Sequence, residues 1–184
     1  MKPTGKTMVL SGEIDGTINR DWSGPNTHTI LEYSNVLDIT KAWVITDFKV
    51  WPKSPADDAG IFNNYGNLGL RFQLNTDTMP EVAYWMASEN RCIAFGESHY
   101  SLNSYLSKEP FGTPVPVLPV QSNYYIQPDH IIQNRLDLAC VPTFPEATSN
   151  IMELNYFVYL EEVVITPQES IVFNIKSQGQ DLSD

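Results

Sequence analysis

The stretch Leu68-Gly69-Leu70-Arg71-Phe72-Gln73-Leu74-Asn75-Thr76 decides the fold. Leu68, Leu70, Phe72 and Leu74 alternate with Gly69, Arg71, Gln73 and Asn75. Successive side chains of a strand point to opposite faces, so this period of two predicts a strand with one face in the core and one in water. Two longer runs extend the pattern. In Lys41–Trp51, one face carries Ala42, Val44, Thr46, Phe48 and Val50, and the other carries Trp43, Ile45, Asp47, Lys49 and Trp51. Pro52 ends that run, because proline has no N–H to give to a ladder. In Ile151–Ile165, Met152, Leu154, Tyr156, Val158 and Leu160 form one row, with Ile151, Phe157 and Tyr159 on the opposite side.

Further strands are expected at Thr7–Ile14, His28–Tyr33, Glu81–Ala87, Arg91–Gly96, Tyr124–Gln127 and Ile131–Val141. The total of about nine suits two packed sheets. Turn chemistry separates the runs at Asp15-Gly16, at Ser23-Gly24-Pro25-Asn26 and at Pro55-Ala56-Asp57-Asp58-Ala59-Gly60. Pro110, Pro114, Pro116 and Pro119 punctuate an extended, edge-like connection. Helix is scarce. Ser101–Ser107 could form a short turn of it, and the C-terminus carries a helix over about 167–178. Thr166-Pro167-Gln168-Glu169 is a capping box with proline at the first helical position, Ile171, Val172 and Ile175 recur at helical spacing, and Gly179 is placed to stop the helix. Such a helix either covers a sheet edge or clips onto a neighbouring subunit. With no linker, composition shift or repeat, residues 1–184 read as a single domain. The fold class is all-β, an antiparallel β-sandwich of the jelly-roll type with a short C-terminal helix.

The composition agrees with a folded domain and narrows the function classes. At 184 residues, 42% hydrophobic and 18% charged, the chain is long enough to bury a core without staples. Its net charge is −11, from 22 acidic against 11 basic residues, and the basic ones never form a run. Clustered Lys and Arg are what phosphates and anionic lipids require, so neither direct nucleic-acid binding nor a membrane surface is expected. The N-terminus lacks the apolar core of a signal peptide, and no run approaches transmembrane length. There is also no Asn-X-Ser/Thr site, so the chain is expected to be made in the cytoplasm. Cys92 and Cys140 each lie in an apolar stretch, which suits buried small hydrophobes and also allows one bridge in an oxidising compartment.

Catalytic chemistry finds little purchase. His28, His99 and His130 are the only histidines, and none sits in a metal-binding pattern. Gly96-Glu97-Ser98-His99 lacks the Gly-X-Ser-X-Gly of a nucleophile turn. Asp129-His130 reads as a turn after Pro128, and Glu161 and Glu162 are neighbours that point apart on a strand, unlike paired glycosidase carboxylates. Asp57-Asp58 offers at most a surface Ca²⁺ ligand set, with solvated loop acids as the alternative. No catalytic residue, cofactor or metal site is therefore assigned. What needs explaining is that two strands are apolar on both faces. Trp43, Ile45, Trp51, Ile151, Phe157 and Tyr159 occupy positions where a sandwich normally meets water. Either loops of the same chain cover them or another subunit does, and these six are the interface candidates.

The tail Asn155-Tyr156-Phe157-Val158-Tyr159-Leu160-Glu161-Glu162-Val163-Val164-Ile165-Thr166-Pro167-Gln168-Glu169-Ser170-Ile171, followed by Lys176-Ser177-Gln178-Gly179-Gln180-Asp181, resembles the ends of small β-rich structural proteins of aquatic bacterial viruses. Lys41-Ala42-Trp43 and Pro128-Asp129-His130-Ile131-Ile132 are similar in style. The resemblance implies a jelly-roll capsid, vertex or decoration protein. Such a subunit would form homo-oligomers and contact other virion proteins, and would be made in the host cytoplasm and located in the virion. It carries no catalytic residue across, and the missing basic arm points to an external or minor position. The alternative expectation is a carbohydrate-binding sandwich whose Trp22, Trp51 and Trp85 stack on sugar rings.

Overall fold

The computed structural model describes residues 1–17, 26–33, 39–53, 67–77, 89–102, 117–142 and 151–178. Among these, the strands are β1 (Lys2–Thr17), β2 (Asn26–Glu32), β3 (Lys41–Pro52), β4 (Asn67–Asn75), β5 (Cys92–Leu102), β6 (Val117–Ile126), β7 (Arg135–Pro142) and β8 (Ile151–Val164). One helix, α1 (Pro167–Gln178), follows β8. The strands form a three-stranded sheet in the order β1-β8-β3 and a five-stranded sheet in the order β2-β7-β4-β5-β6. Every ladder is antiparallel. The chain is an all-β sandwich, as the alternating patterns predict.

Both sheets contribute to one core. Phe48 and Val50 of β3 and Leu154, Val158 and Leu160 of β8 meet Leu70, Phe72 and Leu74 of β4 and Leu136 and Leu138 of β7. All are fully buried, and each such side chain stabilises the fold by about 1.5–3 kcal/mol. Tyr124 of β6 ties the sheets together. Its ring lies edge-on to Phe48 at 5.0 Å and its hydroxyl donates to the Val50 carbonyl at 3.2 Å. That ring occupies the space beside Gly96, where a Cβ would come within 2.8 Å of it.

The partners are nested. β1 pairs with β8, β2 with β7 and β4 with β5, as though one long hairpin had been folded over on itself. β6 pairs with β5 rather than with β3, and the free edge of β3 is closed in another way. Trp43 exchanges backbone hydrogen bonds with Ile132 at 3.0 and 2.7 Å. The N–H of Ile45 donates to His130 Nε2 at 2.9 Å, and Tyr124 serves Val50. A bridge, an imidazole and a phenol thus take the place of a ladder along an edge that would otherwise invite pairing.

Several expectations need correction. A register shift between Ile45 and Asp47 makes β3 bulge at Thr46, and one extra residue exchanges the two faces of a strand. Ile45 consequently lies in the core at 4% exposure, on the same side as Phe48 and Val50, rather than on an outer face. Ile131–Val141 is a strand only from Arg135 onward, since residues before it bend to close the β3 edge. Ser101 and Leu102 end β5 and are not helical, and Val117–Pro119 start β6 rather than a loop. Residues 81–87 and 103–107 lie outside the described residues.

The outer face of β4 meets water at Arg71, which is 38% exposed, but not farther along the strand as its pattern implies. Gln73 is 3% exposed and Asn75 is fully buried, although both are polar. β4 is the middle strand of its sheet, so its outward side chains are walled by neighbours on both sides, among them Asp137 opposite Asn75.

The helix forms where its capping box predicts. Glu169 Oε2 accepts from the Thr166 N–H at 2.7 Å, while the Glu169 N–H donates to Thr166 Oγ1 at 3.2 Å. No helix among the described residues is long and apolar enough to cross a membrane.

Candidate functional site

Titratable groups are dispersed by the topology. His28 on β2 and His99 on β5 are separated by two intervening strands. His130 is buried with both nitrogens engaged, Nδ1 with the Gln127 carbonyl and Nε2 with Ile45. Burial holds its pKa below the ordinary value, outweighing the Gln127 bond and the Asp129 charge. It is a neutral structural acceptor. Ser98 faces inward and shares a 3.2 Å hydrogen bond with Tyr124, while the adjacent His99 sits beside Glu97 on the opposite face. Cys92 and Cys140 are free and buried, and burial pushes each thiol up to about 12. Thiols so held are poor nucleophiles. No group of three or more His, Cys, Asp or Glu among the described residues is arranged to hold a metal ion. Asp57 and Asp58 lie outside those residues.

Two polar features stand apart from the core. A cleft of about 250 Å³ opens where the ends of β2, β4 and β7 meet α1, lined by Glu32, Tyr33, Asp77, Gln133, Arg135 and Phe173 among others. Arg135 is fixed by Asp137 at 2.7 Å and by Thr29 at 2.8 Å. With Glu32, Asp77 and Asp137 around one guanidinium, the cleft is net acidic and disfavours an anionic ligand. Behind it, on the outer face of the five-stranded sheet, the side-chain amides of Gln73 and Asn75 and one Asp137 oxygen are buried without a hydrogen-bond partner among the described residues.

The basic side chains are spread over both sheets and the helix. Lys6, Lys49, Lys53, Arg71, Arg91, Arg135 and Lys176 each lie within ion-pair distance of a carboxylate. None of these contacts gathers positive charge into one surface.

The outer face of the three-stranded sheet is the more distinctive surface. Trp51 lies 5.2 Å from Phe157, and Phe157 lies 6.3 Å from Tyr159, measured between ring centres. Phe157 and Tyr159 are each 37% exposed. Val9 of β1, directly across from Tyr159, is 50% exposed. This row is bordered by Asp47, Lys49 and the Lys53–Glu13 pair. Of the six interface candidates, the structure thus brings Trp51, Phe157 and Tyr159 together. It places Trp43 against the core, half-buried, and Ile45 inside it. The Ile151 side chain, together with Trp22 and Trp85, lies outside the described residues.

The terminal helix supplies a second apolar surface. It docks through Phe173 onto a small separate core of Ala42, Ile131, Val163 and Ile165, with Val44 beside it. Val44 and Glu161 are partners one step from the partners Ile45 and Leu160. Since Ile45 and Leu160 face the main core, Val44, Ala42 and Val163 must face outward. The helix therefore covers one end of the face whose other end carries the aromatic row. Its own far side is bare, with Ile171, Val172 and Ile175 exposed at 61%, 52% and 64%. Sequence periodicity marked these residues as one helical face without saying that it turns away from the protein. No sequence signal shows it, because the docked side is set by tertiary contacts: Ser170 is buried and Lys176 reaches Asp129 at 2.7 Å.

An antiparallel β-sandwich with apolar outer surfaces is the class that fold and site define. Neither a known family model nor a curated protein sequence matches the chain.

Proposed function

We propose that this chain is a non-enzymatic structural subunit that assembles with copies of itself, as a capsid, vertex or decoration component of a virion. The observation that carries the reading is the pair of bare apolar surfaces, the Trp51–Phe157–Tyr159 row and the outer side of α1. Exposed aromatic and aliphatic patches of this kind mark contact surfaces in otherwise soluble proteins. The strand connectivity supports the jelly-roll part of the reading. Three nested pairs, β1·β8, β2·β7 and β4·β5, are those of a rolled-up hairpin, and Tyr124 brings β6 beside β3, the remaining pair. The acidic balance of −11 and the ion-paired basic residues favour protein neighbours over nucleic acid.

The sugar-binding alternative rests on Trp22, Trp51 and Trp85, of which Trp51 alone lies among the described residues, inclined by 43° to Phe157. Negative-stain imaging of concentrated purified protein, run beside a glycan array, separates the two. Regular oligomers without glycan capture are expected. Isolated monomers that retain a glycan would reverse the assignment.

A further inference from the structure

We infer that the bare side of helix α1 in one copy of this chain seats on the Trp51–Phe157–Tyr159 row of a second copy. This docking mode presupposes the self-assembling reading and names its two mating surfaces. The sheet face already accepts this helix once. Within the chain, α1 packs through Phe173 on Ala42, Val44 and Val163 at one end of the outer face. Tyr159 and Phe157 continue that face along β8 and have no such cover. The chain thus carries an apolar helix side without a sheet and an apolar sheet end without a helix. Each is the kind of surface the other uses inside the fold.

Charge permits a copy as the occupant. A chain at −11 repels its own copies, so a contact between copies must be uncharged or compensated. The Ile171, Val172 and Ile175 side is uncharged. The two charges of α1 are turned to other work, since Glu169 meets the N-terminal ammonium at 3.3 Å and Lys176 meets Asp129. Around the aromatic row, Glu13 is matched by Lys53 and Asp47 by Lys49. Glu161 also faces outward, two residues from Tyr159 on β8, and an uncharged helix side adds no like charge beside it.

The area fits a contact that is weak alone and strong when repeated. Apolar patches of this kind run to roughly 300 Å², so a two-fold pair making the contact twice would bury roughly 600 Å² per protomer, against roughly 800 Å² for a stable complex. Contacts of that size hold an assembly through multiplicity.

The test is sedimentation velocity on the full chain, on an Ile171→Asp/Ile175→Asp variant and on a Phe157→Asp variant. Because all three residues are exposed, thermal melting should stay close to wild type; Ile175→Gln and Phe157→Gln serve if either charged variant melts early. Each variant should weaken self-association at least tenfold. An equimolar mixture of the two should recover part of it, because an intact helix then meets an intact sheet. If the wild type associates and the variants associate equally well, or the mixture gains nothing, the helix-on-sheet contact is wrong while self-assembly stands. A wild type that stays monomeric removes both.

Discussion

His130 is the most exposed joint of this fold to a change of pH. Ile45, like Trp43 two residues before it, points its N–H to the edge of β3 that has no ladder partner, and the imidazole accepts it at 2.9 Å. Its other nitrogen donates to the Gln127 carbonyl. Replacing His130 by Ala leaves a buried donor and a buried acceptor without partners, each costing about 1–3 kcal/mol. The cavity adds to that, for a total of about 3–5 kcal/mol, a large part of the roughly 5–15 kcal/mol that holds a domain. His130→Gln keeps an acceptor and a donor at the same place and should cost less than about 2 kcal/mol.

Protonation does chemically what the substitution does by deletion. A proton on Nε2 turns the acceptor of the Ile45 N–H into a second donor, and burial disfavours the charge, so the folded-state pKa is lowered. Asp129, itself paired with Lys176, opposes this shift without cancelling it. Because the folded pKa lies below the unfolded one, the contribution is fully present above the unfolded value of about 6.5 and is lost as pH falls below it. The loss is about 1.4 kcal/mol per pH unit until the folded pKa is reached. Urea unfolding at successive pH values from about 7.5 to 5.5, above the main carboxylate titrations, should show that slope in the wild type and a flatter one in His130→Gln. Equal slopes would refute the reasoning, because the imidazole would then contribute nothing pH-dependent.

Other consequences are sharp enough to measure. Gly96→Ala places a methyl within 2.8 Å of the Tyr124 ring and 3.1 Å of the Asn123 carbonyl, so urea unfolding should show a loss of about 1–3 kcal/mol. Gln73→Met keeps the volume while removing an amide that is buried without a partner among the described residues. The same assay should find stability unchanged or raised by about 1–3 kcal/mol, and a clear loss would mean that the amide is paired. Cys92 and Cys140, with thiols near 12, should resist a thiol-specific reagent at mildly alkaline pH in native protein and both react once the chain is unfolded.

How much of this was legible in the sequence differs from element to element. β4 and β8 announced themselves through alternation, because a side chain in a regular strand has only two directions to take. The helix announced itself through Thr166 and Glu169, whose reciprocal bonds need only local chemistry. β3 misled at Ile45, since a bulge is one residue of backbone with no side-chain signature, and the partner of the Ile45 N–H, His130, lies 85 residues away. The polar positions of β4 misled in another way. Alternation distinguishes two faces, but only tertiary structure decides whether the second face is wet, and around Gln73 and Asn75 it is dry.

The surfaces followed the same rule. Phe157, Tyr159 and Trp51 could be suspected from a strand that is apolar on both sides. Val9 and the outward side of α1 could not, because their exposure depends on which neighbour arrives first. Phe173 and Ser170 reach the protein, and Ile171, Val172 and Ile175 are left outside.

The central claim is that this sandwich exists to meet copies of itself. Multi-angle light scattering of the purified chain, taken from dilute to concentrated solution, tests it most directly. The account predicts a mass that rises with concentration toward multiples of the monomer and persists in high salt, as apolar contacts do. A mass that stays at the monomer value at every concentration would contradict it.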